Sequence, residues 1–308
     1  MKKLLALLLV FVMLFSLFAC KEEPPTPSGD GTAGGETANG GEGDTSPSDT
    51  PSAPEANPAS DFEYIKNDDD TITIMGYLGT SKNVVIPETI EGLSVTILGY
   101  RSFSFSDIES IAIPDSVYMI AVKAFLGCEK LKTVDFGEGV TQILESAFEG
   151  CTALEKAILP PKLETIGAMA FRNCSALEEV FIPKNLKNWA SSASYGIFSD
   201  CTALHTISIE DGLEVLGGQY GTFSRAIALK TLVIPASVKK IADNAFHATT
   251  SLESVTFLGD APQVKANVFG VSGEGSQTVS QKLIIYFDPN TNGWDDTSLR
   301  QYSLVPIE

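Results

Sequence analysis

One dipeptide recurs along this chain at nearly constant spacing, and it limits the fold more than any other feature. A small or aliphatic residue precedes Phe at Ser102-Phe103, Ala124-Phe125, Ala147-Phe148, Ala170-Phe171, Ile197-Phe198, Thr222-Phe223, Ala245-Phe246 and Val268-Phe269. The steps between these Phe residues are 22, 23, 23, 27, 25, 23 and 23. Six residues after the Phe stands Leu131, Leu154, Leu177, Leu204, Leu229 or Leu252, with Ile108 in that place in the shorter first unit. An alternating segment follows, such as Leu177-Glu178-Glu179-Val180-Phe181-Ile182-Pro183, whose period of two is that of a strand. After a turn comes a second apolar pair three residues apart, as in Val117 with Ile120, Val140 with Ile143, Leu163 with Ile166 and Val238 with Ile241.

A unit of 22–27 residues is too short to enclose its own Phe, Leu and Ile. Neighbouring units must stack and bury them in one ladder, which predicts a mainly β solenoid of about eight turns. Stacked at strand spacing, such a rod is about 38 Å long. Residues 62–77 read as an N-terminal β-hairpin cap with its polar turn at Asn67 to Asp70. At the far end Leu283-Ile284-Ile285-Tyr286, Pro289, Gly293-Trp294 and Tyr302 depart from the repeat and read as a C-terminal cap.

The start of the chain has a different character. Lys2 and Lys3 precede an apolar run from Leu4 to Phe18, too short for a comfortable membrane span and suited to a signal peptide. The run ends Leu17-Phe18-Ala19-Cys20, which looks like a bacterial lipobox. Residues 1–19 are therefore read as a lipoprotein signal peptide and Cys20 as the lipidated N-terminus. Two acyl chains anchor stably where one does not, so the expected place is the extracellular face of the cytoplasmic membrane. Residues 21–60 hold seven Pro, seven Gly, five Ser, five Thr and eight acidic residues, and no aromatic or large aliphatic residue. Nothing there offsets the entropy of ordering, so the segment reads as a disordered tether spanning about 35 Å. The repeat domain is expected over residues 61–308. The formal charge of −18 disfavours nucleic acid and anionic membrane surfaces, leaving the anchor as the only membrane contact.

The unit Ile-Pro-x-x-Val-x-x-Ile-x-x-x-Ala-Phe-x-x-Cys-x-x-Leu-x-x-Val resembles the BspA-like leucine-rich repeats of bacterial surface proteins. One copy runs from Ile113-Pro114-Asp115-Ser116-Val117 through Ala124-Phe125 and Cys128 to Leu131. Tyr77 ahead of Val85-Ile86-Pro87 and Ile90-Glu91-Gly92 is similar to the family's opening. The resemblance covers about residues 62–308. It implies a leucine-rich-repeat solenoid on an extracellular protein, and some members are adhesins that bind matrix or other cell-surface proteins.

Sequence patterns for catalysis are weak. His205 and His247 fall at different places in the repeat, and no nucleophile elbow, phosphate loop or zincin motif occurs. Carboxylate pairs such as Glu178-Glu179 and Asp295-Asp296 read as solvated surface, and the Asp68-Asp69-Asp70 turn lacks EF-hand spacing. No enzyme activity, metal or cofactor is expected. Cys128, Cys151, Cys174 and Cys201 recur three residues after Phe, and Ala226 and Thr249 later fill that slot. This spacing is unlike a zinc site and predicts a ladder of small buried thiols, with disulfides between neighbouring turns open on distance grounds.

Recognition is expected on the first strand of each unit. There the residue four after Leu faces outward, giving the column Ala112, Asp135, Ile158, Phe181, Ser208, Val233 and Thr256. Ile158, Phe181 and Val233 are large apolar residues in an exposed place, a pattern that marks interaction sites. The two lengthened units add Ser191 to Gly196 and Gly217 to Gly221, which nominate Tyr195 and Tyr220. Trp189 takes the place of the second-strand Ile and is expected in the core. The sequence thus predicts a non-catalytic binding module for a protein ligand, such as a host matrix or cell-surface protein. A surface glycan is the alternative. Replacing Cys20 with Ser is expected to move the protein from the membrane fraction to the soluble fraction on cell fractionation.

Overall fold

The computed structural model describes residues 55–190, 195–218, 221–265, 267–270 and 283–308. The signal segment, Cys20 and most of the tether lie outside the described residues. Among those described, the regular elements are strands and two single 3-10 turns, Ala59–Asp61 and Ser298–Gln301.

Each coil passes through three segments. The first is a strand after the repeat Leu, as in Ser110–Ala112, Lys156–Ile158, Glu179–Ile182 and Thr206–Ile209. The second is a two-residue strand ending at the second apolar position, as in Met119–Ile120, Gln142–Ile143 and Thr165–Ile166. Strands of each kind pair in parallel with their counterparts one coil away, for example Val180 with Ile207 and Ile143 with Ile166. Alternation turns Val180 and Ile182 into the core and leaves Glu179 and Phe181 outside.

The third segment carries the Phe, and its structure is not a strand. Chain direction reverses through left-handed backbone two residues before and two after the Phe: Lys123 and Gly127, Ser146 and Gly150, Met169 and Asn173, with φ from +54° to +76°. Between these corners alternate N–H groups point along the solenoid axis. Lys123 donates to Glu145 O (2.9 Å), Phe125 to Ala147 O (2.7 Å) and Gly127 to Glu149 O (2.8 Å), while the intervening N–H groups close turns within the coil. The backbone thus meets its hydrogen-bonding requirement in a stretch with no ladder of the usual kind. The bonds offset the strain of non-glycine residues in left-handed backbone, on the order of 1–2 kcal/mol each.

The same segment sets the rings in register. Phe103, Phe125, Phe148, Phe171, Phe198, Phe223 and Phe246 stack with centroids 4.8–5.3 Å apart and planes within 12°. Phe148 and its neighbours are fully buried. At this separation near-parallel rings are offset, the favourable arrangement, contributing about 0.5–1.5 kcal/mol per pair beyond area burial.

The ends extend the ladders. Phe62–Lys66 and Ile72–Tyr77 pair antiparallel, and the latter pairs in parallel with Leu93–Leu98. Tyr77 stacks on Phe103 at 5.8 Å and Tyr302 meets Phe269 edge-on, so aromatic side chains from outside the repeat prolong the Phe stack in both directions. The C-terminal segment departs from the repeat in sequence yet adds two more rungs, Ile284–Phe287 and Ser303–Pro306, to the first-strand ladder. Pairing uses backbone groups, so it continues where the side-chain pattern stops.

Replacing Phe148 with Ala removes a ring packed on both faces. The expected cost is about 3–5 kcal/mol, read as a lowered midpoint in denaturant titration.

Candidate functional site

The first-strand face brings two of the nominated residues side by side. Ile158 is the register partner of Phe181, which in turn pairs with Ser208. Ile158 is 60% exposed and Phe181 is partly exposed, because Ala157, Val180 and Ile182 take the inward positions of the same strands. A charged rim adjoins them: Lys156 Nζ lies 3.1 Å from Glu179 Oε2, and His205 Nε2 lies 3.8 Å from Glu178. Val233 holds the equivalent place and pairs with Thr256, but in a separate sheet. No strand pairing joins Thr206–Ile209 to Thr231–Ile234 among the described residues.

Tyr195 sits elsewhere. Its ring covers the Arg172 guanidinium at 3.8 Å, and Arg172 directly follows Phe171 on the Phe side of its coil. Arg172 also pairs with Glu149 at 2.8 Å and approaches Asp200 at 3.9 Å, while Asp200 pairs with Arg225 at 3.0 Å. The expectation of one patch joining the strand column to the inserted loops is therefore revised. Coil order is preserved on stacking, so a residue three before Phe belongs to the corner leading into the Phe side. Tyr195 remains 43% exposed, as part of this charged corner. Tyr220 lies outside the described residues.

The cysteines form the ladder that their spacing predicts. Cys128, Cys151, Cys174 and Cys201 are buried and free, and each thiol donates to a carbonyl of the preceding coil, at Phe103, Phe125, Phe148 and Phe171 respectively. Burial pushes the Cys151, Cys174 and Cys201 thiols well up, whereas the hydrogen bond from Cys151 draws Cys128 down. In the Asp68–Asp70 turn, Asp69 accepts from Thr71 and Asp70 pairs with Lys66, which engages these carboxylates internally. Trp189, expected in the core, packs against it but is only partly buried and lines a groove on the second-strand side. Its size in an Ile position was the signal for that departure.

Stacked parallel coils with a buried Leu, Ile and Phe ladder define a leucine-rich-repeat solenoid. The chain matches the BspA type leucine rich repeat region in six copies over residues 96–220 and 191–283. It belongs to that family. No curated protein matches the chain. Among solved structures, a leucine-rich repeat protein from Bacteroides ovatus is 21% identical over 74% of this chain and 70% of its own, with a TM-score of 0.51. The Treponema pallidum leucine-rich repeat protein TpLRR is 29% identical over 57% of this chain and 91% of its own, at 0.46. A leucine-rich cell surface protein from Faecalibacterium prausnitzii is 26% identical over 67% and 55%, at 0.48.

Only the thiolate reacts with alkylating reagents, and burial opposes both ionisation and access. Cys151, Cys174 and Cys201 on both grounds, and Cys128 by inaccessibility alone, are expected to resist iodoacetamide in the folded protein at mildly alkaline pH and to react after denaturation, as counted by mass spectrometry.

Proposed function

We propose that the chain is a non-catalytic, lipid-anchored surface module that binds a protein partner through the first-strand face around Ile158 and Phe181. The observation that carries this reading is the register pairing of these two outward apolar residues. Their surface is rigid, since each strand is hydrogen-bonded to its neighbour, so binding orders little backbone. Exposed apolar residues with a polar rim are the usual anatomy of an interface, and aromatic anchors dominate binding energy. Membership of a repeat family used for binding supports the general role, and the N-terminal segment supports presentation outside the cell. A matrix or cell-surface protein is the favoured ligand. A saccharide ligand is favoured only on a different surface, the groove beside Trp189.

The test is capture from cell-surface and matrix protein extracts by the purified protein, compared with an Ile158→Ser, Phe181→Ala double variant. Capture of a defined protein, weakened at least about tenfold in the variant, is the expected result; that corresponds to about 1.4 kcal/mol. Tyr195→Ala, on another side of the coil, is expected to leave capture unchanged. Equal capture by the double variant would place the interface elsewhere.

A further inference from the structure

The two lengthened units interrupt the solenoid on two of its three sides. Asn188–Trp189 pairs with Thr165–Ile166, and Val215–Leu216 pairs with Lys240–Ile241. No pairing bridges Trp189 to Leu216 among the described residues, whereas the first strands of these two coils stay paired, Glu179–Ile182 with Thr206–Ile209, and the first-strand ladder opens only one coil later. The Phe side stays closed: Phe198 N donates to Thr222 O at 2.8 Å, Asp200 N to Ser224 O at 3.0 Å, and the Phe198 and Phe223 rings stack at 5.3 Å. The coils on either side of Trp189 are thus held together by their first strands and by the Phe side, while their second strands lack ladder bonds.

A groove of about 630 Å³ runs along the second-strand side from Trp189 past Val215 and Lys240 to Gln263. Trp189 forms one wall, and Val215, Lys240, Asp243, Asn244 and Gln263 contribute to the others. In the flanking coils the Trp189 position holds Ile143, Ile166, Leu216 and Ile241, all buried. The indole is too large for that place and stays partly exposed. Its N–H is shielded from solvent without an acceptor, a state that is costly and uncommon in native proteins. Gly218 lets the next coil pack against the Trp189 backbone: a Cβ there would lie 2.8 Å from Trp189 O. The far wall is fixed by backbone bonds, with Gln263 N donating to Lys239 O at 2.8 Å and Ile241 N to Gln263 O at 3.0 Å.

We infer that this groove is a saccharide-binding site for a short oligosaccharide segment, a function separate from the strand face. A sugar ring presents an apolar C–H face and an edge of hydroxyls. An indole wall suits the first, while an amide, an ammonium and a carboxylate within one groove supply donors and acceptors for the second. The groove's volume lies in the range of small-molecule sites, about 300–1,000 Å³. The mixture of polar walls with a single large aromatic residue fits a saccharide better than an apolar peptide. Lys265 pairs with Asp243 and holds that carboxylate at the rim.

Trp189 also reports on the site. The chain has two tryptophans, and the other, Trp294, is buried with its indole donating to Thr291 at 2.8 Å. In a full-length Trp294→Phe protein, emission comes from Trp189 alone. Titration with a panel of tri- to hexasaccharides from bacterial envelopes and host glycans is expected to give a saturable change with at least one member. Gln263→Ala is expected to weaken that affinity at least threefold. In the Trp189→Ile protein, which restores the residue type of the flanking coils and so keeps the fold, calorimetry is expected to show at least tenfold weaker binding. Ile158→Ser with Phe181→Ala is expected to leave the titration unchanged. No saturable change with any saccharide, or undiminished affinity in Trp189→Ile, would overturn the assignment.

Discussion

On the Phe side, alternate backbone N–H groups run from coil to coil while the rings they carry stack a strand spacing apart. The N–H of each Phe bonds to the residue before the next Phe, from Phe103 to Ala124 through Phe246 to Val268. Left-handed corners on either side of the ring make this geometry attainable, even where the residue is Lys123, Ser146, Met169 or Asn173. Among the described residues, this is the one backbone series that runs unbroken through the lengthened coils. The first-strand ladder is interrupted between Thr133–Asp135 and Lys156–Ile158 and again after Thr206–Ile209, and the second-strand ladder after Asn188–Trp189.

That division of labour separates stability from recognition. Because one side fixes coil spacing, the other two tolerate insertions and substitutions that a continuous sheet would resist. The first-strand face uses this freedom to expose Ile158 and Phe181, and the second-strand side uses it to leave a groove beside Trp189. Buried thiols reinforce the fixed side, each donating to a Phe carbonyl one coil earlier. Repeat proteins distribute stability over nearest-neighbour contacts, so a local opening leaves the remaining coils intact.

Much of this was legible in the repeat. The Phe, Cys and Leu positions gave coil length and core, and strand alternation correctly placed Val180 and Ile182 inward with Phe181 outward. The expectation for Trp189 held in part: the side chain packs against the core yet stays partly exposed, because a position is read from its neighbours in the repeat, whereas the indole's volume makes itself felt only when adjacent coils are packed. The grouping of Tyr195 with the strand column failed because nearness in sequence does not say which side of a coil a residue occupies. The far end followed the same logic, since Ile284–Phe287 and Ser303–Pro306 pair through backbone groups that carry no repeat signature.

What the sequence determined by itself was therefore periodic: the number of residues per coil, the buried ladder of Phe, Leu and Ile, and the small slot filled by Cys128, Cys151, Cys174 and Cys201. Period translates directly into burial, because a side chain repeated once per coil must stack on its own kind. Tertiary structure decided what period leaves open: which ladders break, that Ile158 adjoins Phe181 across a strand pair, and that Tyr195 lies on Arg172. Those outcomes depend on contacts between coils 22–27 residues apart, where the local pattern is the same on either side of a break.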